Sequence, residues 1–344
     1  MANYKTGHVF IIAEIGSNHN QDIKQAFELM DTAKQSGADA VKFQSLRLEK
    51  LMTPADITAA DIELFQKIEL QEEWYGKIFE HARQIGIKCI SAPTYLQALE
   101  LLLEYGADII KIASPQTYGF PELVKQAALS RVHTIMSTGY CGEKEIARAV
   151  KLYKTYGDMQ KLTLLHCTSQ YPTETNNANL NYIKTLKETY GTTVGYSDHT
   201  LGITAPVAAV ALGASVIEKH ITLSRNMNGP DHYFALEPKE FKEMVSKIRQ
   251  TETLLGSAEK KLTAFEKSFR DSVIMYPYSV RAIQKGEKIT SDDITYYRSK
   301  TKGISPWEAE QKLLGTVLDE SVPANHQFHE MEPNENERKN YKVY

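Results

Sequence analysis

Eight short apolar segments alternate with amphipathic ones between residues 9 and 219, and this alternation constrains the fold more than any other feature. Four of the segments follow a Gly-Ala or Gly-Ile step, where glycine is typical of a helix end and a strand begins at once. Eight strand–helix units predict an α/β protein, a closed (β/α)8 TIM barrel. An open doubly wound sheet is the alternative, although no Gly-x-Gly-x-x-Gly follows the first strand. The predicted strands are residues 9–15, 38–43, 87–91, 108–112, 132–136, 162–166, 193–196 and 215–218.

Two histidines lie just beyond the last two predicted strands: His199 in Ser-Asp-His, and His220 in Glu-Lys-His. Because parallel strands end at the same edge of a sheet, we expect the two imidazoles to lie side by side. Neutral imidazoles bind divalent metals, and Asp198 and Glu218 are candidates to orient them or to add a third ligand. One such histidine alone is more often an ordinary surface residue, but two with flanking carboxylates favour a metal site.

Polar and ionisable residues recur at the predicted carboxyl ends of nearly all the strands, where a TIM barrel builds its active site. Lys42 and Lys111 interrupt the apolar runs AVKFQ and IIKIAS. A buried, unpaired ammonium is costly, so an anionic partner is implied. Ser114, Ser137 and the backbone amides near Gly139 would complete a phosphate or carboxylate site. The sequence therefore predicts an anionic substrate beside a two-histidine metal.

The composition excludes several classes of partner and compartment. The net charge of −3 over 344 residues gives no basic surface for nucleic acid, and we expect no membrane partner. Three cysteines, an odd number without Cys-x-x-Cys spacing, indicate a reducing compartment. The first apolar run is too short for a signal peptide or a membrane span. We therefore expect a cytoplasmic protein.

The sequence pattern changes after the eighth strand–helix unit. A helix over residues 239–255 ends at Gly256, so we assign residues 1–256 to the barrel. Residues 257–272 are charged and are interpreted as a linker. Residues 273–331 contain short alternating segments and predict a small, mostly β module that is marginally stable unless it docks on another surface. Residues 332–344 form a charged tail.

Eight motifs occur in this order and are followed by RAIQKGEKIT: AEIGSNH, AVKFQ, KIAS, STG, LLHCTSQYPT, GYSDHTLG, VIEKH and GPDHYFALEP. Taken together, they resemble the sialic acid synthase family. The similarity extends to about residue 330. It implies a (β/α)8 barrel followed by an antifreeze-like (SAF) domain. It also implies the condensation of phosphoenolpyruvate with the open-chain aldehyde of an N-acetylated hexosamine, with release of phosphate by C–O cleavage.

The resemblance assigns roles to individual residues. A divalent metal, Mn²⁺ or Mg²⁺, is implied at His199 and His220, and Glu14 is implied at the reacting centre. Members of the family are domain-swapped homodimers, in which an arginine of the small domain reaches the partner's sugar site. Arg298 occupies the position of this arginine. The implied phosphoenolpyruvate-binding residues are Lys42, Lys111, Ser114, Ser137 and Ser197. The implied sugar-binding residues are Gln44, Gln116, Tyr171, Asp231 and Arg298.

Three positions depart from the family pattern. Gln116 stands where the family usually has glutamate, which implies a different sugar or a missing catalytic charge. Ser169 replaces an asparagine of the N-acetylneuraminate synthases, and the local sequence is closer to the pseudaminic acid branch. The residues after Arg298 differ from the usual motif. The alternatives are a metal-dependent or phosphoenolpyruvate-using barrel that acts on a phosphorylated sugar, and a catalytically weakened binding or scaffold protein.

Overall fold

The computed structural model describes residues 7–330, and within them the chain divides into two compact units with a boundary between Gly256 and Ser257. Among the described residues, no helix is both long and apolar enough to cross a bilayer. The charged tail predicted over residues 332–344 lies outside the described part.

The first unit is a (β/α)8 barrel, as predicted. Its eight parallel strands are hydrogen-bonded in the order β3-β2-β1-β8-β7-β6-β5-β4, and β3 and β4 contact each other where the ends of this order meet. The open doubly wound alternative is wrong because the sheet closes. The strands are β1 Phe10–Gly16, β2 Ala40–Ser45, β3 Lys88–Pro93, β4 Ile109–Ile112, β5 His133–Ser137, β6 Leu162–Cys167, β7 Thr193–Asp198 and β8 Val216–His220.

Helices surround the strands and bury one face of each against them. In α4, for example, an amphipathic pattern buries Ile78 and Phe79, and Gly86 ends the helix with a positive φ of 68°. The helices of this unit are α1 Ile23–Gln35, α2 Leu48–Leu51, α3 Ala59–Ile68, α4 Tyr75–Ile85, α5 Leu96–Glu104, α6 Ser114–Gly119, α7 Pro121–Leu129, α8 Glu143–Tyr156, α9 Tyr182–Tyr190, α10 Thr204–Ala211 and α11 Pro238–Leu255.

The barrel interior is apolar towards the amino ends of the strands. A separate core cluster there takes side chains from seven of the eight strands. On β7 the corresponding space is kept free by Gly195, whose added Cβ would lie 2.3 Å from the carbonyl oxygen of Val216. The cluster consists of Phe10, Ile12, Ala40, Ile90, Ile109, Ile135, Leu165 and Val216.

Polar residues follow these apolar ones at a spacing of two, which keeps them on the inner face of the strands. Ile12 is followed by Glu14, Ile109 by Lys111, and Val216 by Glu218. The strands extend one or two residues beyond several predicted ends, because later polar residues such as Asp198 on β7 and His220 on β8 still belong to the hydrogen-bonded ladder. The barrel therefore has a closed apolar floor and a polar end at the carboxyl termini of its strands.

The second unit has its own small core. Its elements are α12 Ala264–Phe269, β9 Met275–Ser279, β10 Ile294–Arg298 and α13 Ala309–Leu313, and β9 pairs antiparallel with β10. Ile283, Ile289 and Phe328 are buried at its centre.

Candidate active site

A cavity of about 330 Å³ opens among the carboxyl ends of the barrel strands. Its lining contains most of the residues that the sequence analysis selected, and it also contains Cys167 and Glu218. The predicted residues that line it are Glu14, Lys42, Gln44, Lys111, Ser114, Gln116, Ser137, Tyr171, Ser197, His199 and His220.

Two lysines and two glutamates form a buried charge cluster in this cavity. Lys42 Nζ lies 2.8 Å from Glu14 Oε2 and 3.6 Å from Glu218 Oε1. Lys111 Nζ lies 3.6 Å from the same Glu218 oxygen and donates a 2.7 Å hydrogen bond to Ser137 Oγ. Ser197 Oγ donates to Glu218 Oε1 at 3.0 Å. Glu218 therefore joins the two lysines that the sequence identified separately.

The two lysines have different electrostatic environments. Burial lowers the pKa of Lys111, and the attraction of Glu218 only partly offsets it. Burial also opposes the charge of Lys42, but Glu14 and Glu218 together raise its pKa. Lys111 is thus the cation with the less complete partner. An additional anion beside it would stabilise its charged form.

The two carboxyl groups are also shifted in opposite directions. Burial raises the pKa of Glu14, and the neighbouring Glu218 adds to this while Lys42 opposes it. Burial also tends to raise the pKa of Glu218, but the charges of Lys111 and Lys42 outweigh burial and lower this pKa. Glu218 is the permanent anion, whereas Glu14 is the carboxyl group better suited to exchange a proton.

A tight turn after β5 brings backbone and hydroxyl groups together beside Lys111. Gly139 N donates to Ser114 Oγ at 3.0 Å. A Cβ added to Gly139 would lie 2.2 Å from Ser169 Oγ and 2.7 Å from Ser114 Oγ, so only glycine fits here. Ser169 Oγ is buried without a hydrogen-bond partner among the described residues. This turn supplies small polar groups of the kind that bind oxyanions.

His199 and His220 lie side by side, with ring centroids 5.5 Å apart. His199 Nδ1 donates to the Thr168 carbonyl oxygen at 3.0 Å, so in the neutral ring Nε2 is the nitrogen that carries the lone pair. His220 Nδ1 is buried without a hydrogen-bond partner in the described chain, and burial lowers the pKa of this side chain to about 3. Two imidazoles with available lone pairs fit a divalent metal.

Among the described residues, no group of three or more His, Cys, Asp or Glu side chains is arranged to hold a metal. The expectation that Asp198 or Glu218 supports the histidines is wrong. Asp198 Oδ2 accepts a 2.6 Å hydrogen bond from Lys219 Nζ, and its other oxygen accepts one from Thr200 N. Glu218 belongs to the lysine cluster. The protein would thus supply two ligands, and the substrate or water would supply the rest.

Asp231 comes from the loop after β8 and reaches the same end of the barrel. Its Oδ2 accepts hydrogen bonds from Ser17 N at 3.2 Å and Ser17 Oγ at 2.8 Å. A Cβ placed on Gly16, whose φ is 53°, would lie 2.8 Å from Asp231 Oδ2, 3.3 Å from Glu14 Oε1 and 3.4 Å from His220 Cε1. The three side chains therefore converge around Gly16.

Gln44 and Tyr171 form part of the cavity wall near the reacting groups. Gln44 Nε2 donates to Glu14 Oε1 at 2.8 Å. The Tyr171 ring lies 4.2 Å from the His199 ring, centroid to centroid. Arg298 belongs to the second unit, where it is the exposed last residue of β10.

Sequence reasoning missed two features of this site. Glu218 was expected to support the histidines and not to join the lysines, although its position two residues before His220 places it on the same inner face of the barrel as Lys42 and Lys111. Cys167 was not selected, yet it lines the cavity beside His199; burial opposes the charge on this imidazole, but Cys167 helps to raise its pKa overall. Burial alone would raise the pKa of this thiol, but His199, Ser114 and Lys111 lower it overall.

The profile of one protein family, the NeuB family, matches residues 29–260. The chain belongs to the NeuB family. It is 38% identical to the N,N'-diacetyllegionaminic acid synthase of Legionella pneumophila, over 92% of each chain. It is 35% identical to a pseudaminic acid synthase of Campylobacter jejuni, over 94% of this chain and 96% of that one.

A solved NeuB-like structure agrees with the sequence comparison. The N-acetylneuraminic acid (sialic acid) synthetase of Leptospira borgpetersenii, in complex with citrate, superimposes with a TM-score of 0.72 at 34% identity. The match covers 77% of this chain and 92% of that chain. The barrel assignment and the resemblance drawn from the motifs are both confirmed.

Proposed function

We propose that this NeuB-family protein is a nonulosonic acid synthase, which condenses phosphoenolpyruvate with an open-chain N-acetylated hexosamine and releases phosphate. The observation that carries the proposal is the pairing of buried Lys42 and Lys111 with a two-histidine site in one cavity. The relatives are named for different acids, so they support the reaction class more strongly than any one sugar. Candidate sugars are N-acetylmannosamine and a 2,4-diacetamido-2,4,6-trideoxyhexose, and the product would enter glycan or surface polysaccharide synthesis.

The lysine cluster is the proposed phosphoenolpyruvate site. Lys111 has an incomplete partner in Glu218, so the phosphate or carboxylate of this substrate would gain a charge-assisted bond from it. The turn at Gly139 adds small polar groups beside the same lysine. The residues proposed to bind phosphoenolpyruvate are Lys42, Lys111, Ser114, Ser137 and Ser197.

His199 and His220 are the proposed ligands of a divalent metal, Mn²⁺ or Mg²⁺. When bound, such an ion polarises the aldehyde oxygen of the sugar. The C2–C3 π electrons of phosphoenolpyruvate form the bond from C3 to the aldehyde carbon; the carbonyl π bond breaks, its oxygen takes up a proton, and C2 becomes electron-deficient. Water adds to C2 and gives up one proton. The C2–O bond to phosphate then breaks with its electron pair leaving on phosphate, and the C2 hydroxyl loses its proton to form the ketone.

Glu14 is the proposed base that takes the proton of the attacking water. Its burial raises its pKa, and Lys42 and Gln44 hold its two oxygens in place. On the sugar side, Gln44, Tyr171 and Asp231 are proposed to bind hydroxyl and acetamido groups. Each of them lines the cavity or converges on the atoms around Gly16.

We further propose that the second unit is an antifreeze-like (SAF) domain that completes the partner's sugar site in a domain-swapped homodimer. The exposed, stacked Phe265 and Phe269 on α12 support an additional interface. Arg298→Ala and His199→Ala chains are each expected to be inactive and dimeric. After subunit exchange, mixed dimers should regain part of the activity, and a mixture as inactive as its parents would overturn the swap.

The three cysteines are unpaired, which supports a reducing, cytoplasmic location. The function itself is tested by phosphate release from phosphoenolpyruvate with manganese, screened across the candidate sugars. Sugar-dependent release with formation of a nine-carbon acid is expected. Activity only on phosphorylated sugars would favour the alternative barrel enzyme, and no turnover with any sugar would favour a binding protein.

A further inference from the structure

A short turn over residues 231–234, in the loop after β8, contacts two other loops at the carboxyl end of the barrel. Asp231 Oδ2 accepts hydrogen bonds from Ser17 in the loop between β1 and α1. Tyr233 donates its hydroxyl hydrogen to the carbonyl oxygen of Tyr171, in the loop after β6. This turn therefore connects loops that rise from different sides of the cavity.

The two ends of the turn are anchored unequally. At its carboxyl end Phe234 is buried, and its ring packs edge-on against the His220 ring with centroids 4.8 Å apart. The residues that precede the turn, 228–230, are exposed. The position of Asp231 therefore depends on what holds the chain between it and Phe234.

His232 lies at this point and is 0% exposed. Its Nε2 lies 3.1 Å from Asn20 Oδ1 in the loop between β1 and α1, and its Nδ1 lies 2.7 Å from Thr222 Oγ1, two residues after β8. Burial lowers the pKa of His232, and Asp231 only partly opposes this, so the ring is neutral at neutral pH. A neutral imidazole has one donor and one acceptor, and here both nitrogens have a partner.

The backbone around this contact is closely packed. Gly229 has a φ of 152°, and a Cβ added to it would lie 2.7 Å from His232 Cδ2 and 3.0 Å from Asn20 Oδ1. Only glycine fits there. Asn20 itself has a positive φ of 48°, which asparagine tolerates better than most residues. Two special backbone positions thus enclose the contact between His232 and Asn20.

The buried contacts of His232 differ from those of Asp231. Asp231 is only partly buried, so the hydroxyl groups of a sugar can compete with Ser17 for its carboxylate. The contacts of His232 are enclosed by protein and remain when such a ligand binds. His232 is therefore the residue that can fix the turn in both the free and the substrate-bound protein.

We propose that His232 is a positioning residue: by joining Asn20 to Thr222, it holds the 231–234 turn so that Asp231 faces the sugar. This rests on the synthase function proposed above. His232 acts through Asp231 and does not itself contact the substrate.

The test measures kcat/KM for the sugar by phosphate release. The sugar is N-acetylmannosamine or the diacetamido trideoxyhexose, whichever wild type turns over faster. His232→Asn keeps a polar group near Thr222 but is too short to reach Asn20, whereas His232→Gln can still donate to Asn20. His8→Asn makes the same substitution at an exposed histidine just before β1, at the opposite end of the barrel, and is the matched control.

We expect His232→Asn to lower kcat/KM for the sugar by about 10- to 100-fold, with His232→Gln and His8→Asn within about threefold of wild type. The KM for phosphoenolpyruvate and the affinity for Mn²⁺, measured by calorimetry, should each change by less than about twofold. Because His232 acts through Asp231, adding His232→Asn to Asp231→Asn should cost little more than Asp231→Asn alone.

A folded His232→Asn variant within about twofold of wild type would overturn the proposal. So would an equal loss in His232→Gln, an equal rise in the KM for phosphoenolpyruvate, or a double variant that shows the full product of the two single losses. If His232→Asn does not fold, Asn20→Gly tests the same contact, because glycine adopts a positive φ freely. Unchanged sugar kinetics in that variant would overturn the role of His232. A wild type that released no phosphate with any sugar would refute the synthase function itself, and the role of His232 would fail with it.

Discussion

Replacing Lys111 with methionine tests the proposed phosphoenolpyruvate site most sharply. Lys111 Nζ is buried, bonds to Ser137 at 2.7 Å and lies 3.6 Å from Glu218. Two lysines and two glutamates cancel in formal charge, so Lys111→Met leaves a formal charge of −1 facing an anionic substrate. Loss of one charge-assisted contact costs about 1.5–3 kcal/mol, which raises the KM for phosphoenolpyruvate roughly 10- to 150-fold.

The folded protein should tolerate this change, because Glu218 keeps Lys42 at 3.6 Å and the hydrogen bond from Ser197. The assay is phosphate release with each substrate varied in turn, and Lys184→Met, on the exposed face of α9, is the control. We expect the KM for the sugar to change by less than about threefold. An effect confined to the sugar would refute the assignment of the two half-sites.

Three further predictions concern the histidines, the buried ion pair behind them and the catalytic carboxyl group. His199→Ala and His220→Ala should each abolish condensation and weaken Mn²⁺ binding measured by calorimetry while the fold is kept; wild-type turnover that survived exhaustive chelation would contradict this. Lys219→Met leaves Asp198 buried without its cation. Urea unfolding should show that it lowers the free energy of unfolding by about 3–5 kcal/mol, more than Lys111→Met does. Equal stability of the two variants would argue against this. Glu14→Gln should lower kcat by about 10²- to 10⁴-fold. The pKa of Glu14 is raised, and the base must be ionised to act. As the pH decreases, wild-type activity should therefore begin to fall at a pH above the ordinary carboxyl pKa. A fall that begins only at an ordinary carboxyl pKa would count against Glu14.

The sequence predicted the barrel because local and periodic signals agreed. Helix-ending glycines such as Gly86 and Gly213 mark the start of the next strand, and both have positive φ angles in the structure. The two-residue spacing within strands also places His199 beside His220. These features depend on neighbouring residues in the chain, which one sequence displays directly.

The contacts that sequence reasoning missed depend on how strands pair. Asp198 pairs in register with Lys219, and both side chains point away from the cavity, so Asp198 bonds to Lys219 instead of supporting a histidine. Glu218 joins Lys42 and Lys111 across the barrel interior. Charge and hydropathy in one sequence do not fix such distances between elements. Asp231 was found through the resemblance alone, because its loop has no periodic pattern.

We infer that this NeuB-family protein breaks the C–O bond of phosphoenolpyruvate while joining it to an amino sugar. The most direct measurement uses phosphoenolpyruvate with an isotopically labelled bridging oxygen and follows the label by mass spectrometry. We predict that the label leaves with phosphate, only when the sugar is present, and in step with formation of the nine-carbon acid. Unlabelled phosphate would mean that water attacks phosphorus. Release that does not need the sugar would mean that phosphate loss is not coupled to condensation, and either result would contradict this mechanism.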